Sequence, residues 1–345
     1  MSPTVFMVIM SSLATGTIIT SSSHHWLLAW IGLEINTMAM IPVISSTHNP
    51  RSTEAATKYF LTQAVASTTI LFSSMMNAWY LGTWDITNTS FTPAHTLLTI
   101  ALAMKLGLAP AHFWLPEVLQ GSTMTTALII TTWQKLAPMA LIYMTINNLS
   151  TTILILTGLL STLIGGWGGL NQTQTRKIMA YSSIAHLGWM IIISSMMTNI
   201  LIISLSMYLI MTTAVFCLLI LSKSKTIQDM MTAWPLSPAL TSMTTLTLLS
   251  LAGMPPLTGF MPKWLILKEM LTQNLIPTAT IMMLSTLLSL FFYLRLTYLI
   301  TLTLPPNSNQ TKLKWRFKPN FTTLLMTVTS TMSILLLPMT PMMLL

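Results

Sequence analysis

Long apolar runs follow one another along almost the whole sequence, and only 6% of its 345 residues are charged. An ordinary soluble domain carries about 25% charged residues, and no soluble fold could bury so much apolar surface. A membrane-crossing helix needs roughly 20 apolar residues, so the sequence predicts an all-α, polytopic membrane protein with about eleven transmembrane helices. Breaks between the runs place these helices near residues 3–22, 25–45, 56–80, 94–110, 122–146, 149–170, 174–196, 198–222, 237–273 with an internal break, 276–302 and 321–343.

The cations of the predicted loops support this helix count. They all lie in, or just after, the connections that follow the second, sixth, eighth and tenth helices, at Arg51, Lys58, Arg176, Lys177, Lys223, Lys225, Lys312, Lys314, Arg316 and Lys318. Loop cations gather on the inner side of a membrane, so this distribution predicts an inside N-terminus and an outside C-terminus. Topology therefore accounts for the net charge of +9 without nucleic-acid binding.

A short motif recurs 146 residues further along the chain. The matching residues are Gly107, Pro110 and Pro116 in the first copy, and Gly253, Pro256 and Pro262 in the second. Both copies interrupt an apolar helix, and the loop count makes these two helices run in opposite directions. The sequence therefore predicts two broken helices related by an inverted repeat, as in many transporters, although plain proline kinks would also fit. The predicted organisation is one membrane domain over 1–345, with halves near 1–147 and 148–302 and a final helix at 321–343.

Four ionisable residues lie deep within the predicted helices: Glu34, Lys105, Lys135 and Lys263. A charge at the centre of a membrane helix costs roughly 2.5 to 3.5 kcal/mol on insertion scales, so several of them indicate a function. A carboxylate near an ammonium can change how readily a lysine holds its proton. The pattern favours proton translocation, with Glu34 modulating Lys105, Lys135 as the central relay and Lys263 as the distal one. Structural ion pairs or neutral buried amines are the alternative.

Two histidines are candidates for a supporting relay, because an imidazole exchanges a proton near neutral pH. His112 falls in the first break and His186 lies in the seventh predicted helix, and either could instead join two helices by a hydrogen bond. Lys268 and Arg295 lie near helix ends, where snorkelling to the interface explains them. Cys217 is the only cysteine, which excludes an intrachain disulfide and a cysteine-ligated iron–sulfur cluster. No metal site and no cofactor site are predicted.

Several long motifs make the chain recognisable. They include E-I-N-T-M from Glu34, M-K-L-G-L-A-P-A-H-F-W-L-P-E from Met104 and T-W-Q-K-L-A-P from Thr132. Over nearly its whole length the chain resembles the antiporter-like membrane-arm subunits of mitochondrial NADH:ubiquinone oxidoreductase, respiratory complex I. The resemblance implies that Glu34, Lys105, Lys135 and Lys263 belong to a hydrophilic proton axis, and His112 and His186 match positions of the family too. Longer relatives have additional helices before the first one here.

The resemblance also implies a setting. The chain would be a subunit of an enzyme, the proton-translocating NADH:ubiquinone reductase of the inner mitochondrial membrane, with its N-terminus in the matrix and its C-terminus in the intermembrane space. Its partners would be other membrane-arm subunits, adjacent antiporter-like subunits among them, and membrane lipids, but no nucleic acid. The whole complex uses NADH, FMN, iron–sulfur clusters and ubiquinone, and none of these is expected on this chain.

Two other functions remain compatible with the residues. A free-standing cation/proton antiporter would show the same inverted repeat. A structural spacer would link pumping neighbours without carrying protons itself.

Overall fold

The computed structural model describes residues 2–88, 91–233, 237–302 and 323–340, and within these ranges every regular element is a helix. The helices, numbered in chain order, are α1 (Pro3–Ser22), α2 (Trp26–Ile44), α3 (Pro50–Leu81), α4 (Thr92–Leu106), α5 (Trp114–Gly121), α6 (Met124–Thr131), α7 (Trp133–Thr145), α8 (Thr151–Gly169), α9 (Thr175–Ser194), α10 (Thr198–Ser222), α11 (Ile227–Met231), α12 (Pro238–Ala252), α13 (Phe260–Thr272), α14 (Ile276–Leu302) and α15 (Leu324–Leu335). The all-helical fold class is therefore confirmed.

Six of the described helices are long and apolar enough to cross a membrane: α1, α2, α8, α9, α10 and α14. The chain is thus a multi-pass membrane protein. The other apolar segments are interrupted or rich in polar residues, and the count of about eleven spans stays a prediction. The cations at Lys312, Lys314, Arg316 and Lys318 lie outside the described residues.

Several predicted helix bounds are wrong. The fourth helix ends at Leu106 rather than 110, because Gly107 adopts left-handed backbone angles that stop the helix. The third helix begins at Pro50 rather than 56, because Asn49 and Ser52 form a capping box and proline suits the first helical turn. The fifth is two helices, α6 and α7, which meet at Thr132. The described part of the last one is a helix of 12 residues, α15, followed by a 3₁₀ turn at Leu337–Met339; residues 321–322 and 341–343 lie outside the described ranges.

The chain divides into two compact units. The first comprises Met1–Ser161 with Met190–Thr198, and the second comprises Thr162–Trp189 with Asn199–Leu345. The predicted half-repeats near 1–147 and 148–302 stay predictions.

Close helix packing in the first unit depends on glycine. A methyl group on Gly16 of α1 would lie 2.4 Å from Oδ1 of Asn36, and one on Gly32 of α2 would lie 2.6 Å from Cγ2 of Thr20. Small residues let membrane helices approach closely and gain dispersion contacts. The α1–α2 contact therefore brings the buried amide of Asn36 against the backbone of α1.

Helices α4 and α12 end in the same way. Each has 15 residues and stops at a glycine with left-handed backbone angles, φ 78° and ψ 38° at Gly107 and φ 78° and ψ 39° at Gly253. Glycine adopts these angles without the clash that a Cβ atom would cause. A cis peptide bond precedes Pro110 in the first break and Pro256 in the second. The next helix begins seven residues after the glycine in both cases, at Trp114 and Phe260.

The connection between α10 and α12 is ordered by Asp229. The backbone N–H groups of Thr226 and Lys225 donate to its carboxylate at 2.8 and 2.9 Å, and hold the pKa of Asp229 below its usual range. The stability that these two hydrogen bonds give to the folded chain is present above the ordinary aspartate pKa of about 3.9. It is lost as the pH falls through the lower pKa of the folded state.

We expect Asp229→Ala to accelerate amide exchange at Thr226 and Lys225 several-fold, as measured by mass spectrometry, with Asp229→Asn intermediate. Equal exchange in all three proteins would contradict the cap.

Candidate functional site

A small polar cavity lies inside the first unit. Its volume is about 10 Å³, which is close to the space that one water molecule needs. Amide, hydroxyl and amino groups face it together with apolar side chains; the lining residues are Leu33, Asn36, Thr37, Tyr59, Gln63, Lys105, Trp114, Ile130, Gln134, Lys135, Ala137 and Pro138. The fold thus brings two of the predicted lysines to one cavity.

Lys135 reaches this cavity from α7 and is only 2% exposed. Its Nζ donates a hydrogen bond to the backbone carbonyl of Leu106, the last residue of α4. In a continuous helix that carbonyl would accept from the residue four positions later, which is Pro110 and has no N–H. The proline therefore leaves an acceptor at the negative end of a helix dipole, and the lysine fills it. The Nζ also lies 5.8 Å from the ring centroid of Trp114, within cation–π range.

Lys105 lies on α4 itself and is 5% exposed. Its Nζ has no hydrogen-bond partner among the described residues, although it interacts electrostatically with Glu34. Glu34 is half-buried and accepts a hydrogen bond of 3.0 Å from the hydroxyl of Thr37. No ion pair within 4.0 Å joins Glu34 and Lys105 in the described structure. Lys105 therefore faces the cavity with an amine that a water molecule could bind.

Side-chain amides connect the helices around the cavity. The side-chain N–H of Gln134 donates to the backbone carbonyl of Asn36 at 3.5 Å, and Oε1 of Gln134 accepts from the hydroxyl of Tyr59 at 3.4 Å. Gln63 donates to the backbone carbonyl of Lys105 at 3.5 Å. The side-chain amide nitrogen and oxygen of Asn36 are both buried without a hydrogen-bond partner in the described structure. A buried amide usually has a protein or water partner, so a water in the cavity would satisfy Asn36 and Lys105 together.

Sequence reasoning missed these neutral groups because it followed charge alone. A signal was present: Asn36 lies two residues after Glu34, and Gln134 immediately precedes Lys135. Polar amides within apolar helices are costly unless they are hydrogen-bonded, so they indicate a polar interior.

The second unit repeats one contact of the first. Lys263 of α13 donates to the carbonyl of Ala252, the last residue of α12, at 2.8 Å. The residue four positions after Ala252 is Pro256, which again has no N–H to offer. The imidazole of His186 interacts electrostatically with the ammonium of Lys263, and its ring centroid lies 5.9 Å from that of Tyr208.

The remaining ionisable residues occupy separate places. His112 is buried in the first break, where its Nδ1 lies 3.2 Å from the carbonyl of Pro110, and it does not line the cavity. Lys268 is exposed, in keeping with snorkelling. Arg295 is half-buried and donates to the carbonyl of Leu170 at 2.7 Å, so a backbone acceptor explains it better than snorkelling does. Among the described residues, no group of three histidine, cysteine or acidic side chains could hold a metal ion.

A family model described as the NADH:quinone oxidoreductase/Mrp antiporter transmembrane family matches residues 23–289. A second, described as the NADH dehydrogenase subunit 2 C-terminus, matches residues 290–344. The chain is 54% identical over 343 residues to NADH-ubiquinone oxidoreductase chain 2 of Varanus timorensis, covering 99% of both chains, and 53% identical to that of Xenopus laevis, again covering 99% of both. The chain belongs to the NADH-ubiquinone oxidoreductase chain 2 family. The resemblance noted from the motifs is therefore confirmed, and it extends to the C-terminal residues.

Solved structures of more distant proteins show the same fold. A chain of respiratory complex I from Thermus thermophilus superposes with a TM-score of 0.80 at 24% identity, covering 97% of this chain and 79% of that one. A chain of the membrane-bound sulfane sulfur reductase, an archaeal respiratory membrane complex, gives 0.82 at 16% identity, covering 97% and 72%. A chain of the Mrp complex from Dietzia gives 0.78 at 16% identity, covering 96% and 74%.

Proposed function

We propose that this chain translocates protons in the membrane arm of NADH:ubiquinone oxidoreductase. Membership of the chain 2 family makes it a membrane-arm subunit of that enzyme. The observation that carries the proton-translocating role is the cavity of water size on which Lys105 and Lys135 both lie. Charged groups buried in a membrane protein interior mark ion or proton paths when water or another polar group connects them.

The proposed mechanism starts from the difference between the two lysines. Lys135 has a carbonyl acceptor and an aromatic face, both of which stabilise an ammonium. Lys105 has neither in the described structure, so its proton partner would be a water in the cavity. A change in the charge or distance of Glu34 would alter how well Lys105 holds a proton, which is the modulating role proposed for that carboxylate.

Electrons would not pass through this chain. NADH, FMN, iron–sulfur clusters and ubiquinone would be bound by other subunits of the complex, and the driving force would reach Glu34 and Lys105 as a conformational or electrostatic change. Neighbouring antiporter-like subunits and membrane lipids would be the contacts of this chain. The proposed location is the inner mitochondrial membrane, with the N-terminus in the matrix and the C-terminus in the intermembrane space.

The proposed architecture has about eleven spans, two of them broken and related by an inverted repeat. Its support is the constant offset of 146 residues, together with the equal lengths of α4 and α12 and their equal glycine caps. The segregation of loop cations supports the opposite directions of the two broken helices.

In this proposal Lys263 is the distal relay, with His186 as a supporting group. The Lys263 ammonium donates to the carbonyl of Ala252. Methionine at position 263 has no ammonium to carry a proton but keeps most of the side-chain volume. We expect Lys263→Met to lower the ratio of protons moved to NADH oxidised, measured in proteoliposomes of the assembled complex. Lys263→Arg should lower that ratio as well, because a guanidinium hardly releases its proton. An unchanged ratio in both variants would remove Lys263 from the path.

Native electrophoresis tests the assembly itself. The chain should migrate with the other membrane-arm subunits in a large complex when mild detergent is used. Recovery only as a small independent particle would favour a free-standing cation/proton antiporter, to which the antiporter-like family membership would also apply.

A further inference from the structure

The short helix α5 is held against the first turns of α3. A methyl group on Gly121 would lie 2.6 Å from the Cβ atom of Ala55 and 2.7 Å from the carbonyl oxygen of Arg51, so the two backbones touch there. Helix α5 has eight residues and follows directly on the first break. A helix of that length has little stability of its own, so its position depends on such contacts.

One lysine supplies a further contact between these helices. The ammonium of Lys58 on α3 lies 2.5 Å from the carboxylate of Glu117 on α5 and 2.6 Å from that of Glu54, one turn earlier on α3. The three side chains are 41% to 60% exposed. Exposed ion pairs contribute only about 0 to 1 kcal/mol to stability. We therefore look for the role of this ion pair in the position of α5 rather than in the stability of the fold.

The same two helices meet again immediately beside this ion pair. Tyr59, the neighbour of Lys58 on α3, packs edge-on against Trp114 of α5 with ring centroids 5.8 Å apart. Trp114 and Glu117 are three residues apart on α5 and so lie on one face. The indole N–H of Trp114 donates to the carbonyl of Met104 at 3.3 Å, and its ring faces the ammonium of Lys135. Helix α5 thus connects an exposed ion pair to the buried lysine.

We propose that Lys58 and Glu117 are positioning residues of the proton path, because their ion pair holds α5 with Trp114 against the ammonium of Lys135. Glu54 assists by fixing the Lys58 side chain on the face of α3 that meets α5. This inference rests on the proposed function, since it assigns to Lys58 and Glu117 an effect on the relay that Lys135 provides.

The test uses the assembled complex in proteoliposomes, with proton transport per NADH oxidised measured from neutral to alkaline pH. In Glu117→Gln, α5 loses its ion pair with α3, so Trp114 is held less closely against the Lys135 ammonium and cation–π stabilisation weakens. The ratio should therefore fall about threefold at alkaline pH and little at neutral pH. Trp114→Leu should give the same pH profile. Glu269→Gln is the matched control, because Glu269 is a half-exposed glutamate outside any ion pair of the described structure.

Exchanging the charges of Lys58 and Glu117 distinguishes a role of the ion pair in positioning α5 from a role in folding. The double variant K58E/E117K restores an ion pair between the same two positions, and it should recover at least half of the ratio lost in Glu117→Gln. A uniform loss at every pH, no recovery in the double variant, or a profile for Glu117→Gln like that of the unaltered chain would each overturn the proposal. If Lys135→Met leaves transport unchanged, the proposed function itself fails; if it stops transport while Glu117→Gln does nothing, only this inference fails.

Discussion

Replacing Lys135 with methionine is expected to abolish proton transport through this chain while the complex still assembles. The substitution removes the only titratable group that binds the carbonyl of Leu106 in the described structure. Leaving that carbonyl unpaired costs about 1 to 3 kcal/mol, but removing a buried cation offsets part of this cost. The measurement is the ratio of protons transported to NADH oxidised, in proteoliposomes of complex whose assembly has been checked by native electrophoresis.

Lys268→Met is the matched control for this experiment. It removes the same charge from an exposed position on α13 that has no part in the cavity. The control should leave the ratio unchanged. If Lys135→Met also leaves it unchanged in a fully assembled complex, the chain is a structural spacer and not a proton carrier.

Gly259→Ala is expected to cause a large loss of stability. A Cβ atom at this position would lie 1.7 Å from the carbonyl oxygen of Ser250. That carbonyl also accepts from the N–H of Gly253 in the cap of α12, so it cannot move without breaking the cap. Overpacking a tight site costs about 1 to 3 kcal/mol and occasionally more, and here the clash is with backbone. We expect little assembled complex, with a strongly lowered melting temperature in what remains.

Gly82→Ala isolates the effect of a left-handed backbone from that of a clash. Gly82 has φ 76°, and a methyl group added to it would meet no atom within 4 Å beyond its own chain neighbours, so alanine should cost only about 1 to 2 kcal/mol. Similar assembly and melting temperatures for the two variants would show that the Gly259 contact with Ser250 does not constrain the break.

Much of the fold could be predicted because apolar length is a strong signal in a membrane protein. The predicted bounds of α10 and α14, Thr198–Ser222 and Ile276–Leu302, agree with the structure because each is a long, predominantly apolar run. The start of α3 is harder to predict because its first turns carry Arg51, Glu54 and Lys58, which resemble a loop by composition. The division at Thr132 has no comparable signal, since the nearby proline, Pro138, lies inside α7.

The charged residues of the candidate site could be predicted from the sequence, but the groups that they bind could not. Glu34, Lys105 and Lys135 stand out because charge is rare in apolar helices. That Lys135 binds the carbonyl of Leu106 depends on how α4 and α7 pack, which no spacing in the sequence indicates. Loop composition predicts a purely topological role for Lys58, whereas the structure pairs it with Glu54 and Glu117.

The two lysines that bind helix ends come from positions that do not correspond. A shift of 146 residues matches Leu106 with Ala252, yet it matches Lys263 with Glu117 and Lys135 with Ile281. The two breaks share a backbone carbonyl at a helix end that has no N–H donor four residues later, and a lysine on any helix within reach can donate to it. The lysine that supplies the ammonium could therefore change during evolution while the contact with the helix end is kept. An alignment with that shift pairs Lys263 with Glu117, a residue of opposite charge, and misses Lys135, which makes the equivalent contact.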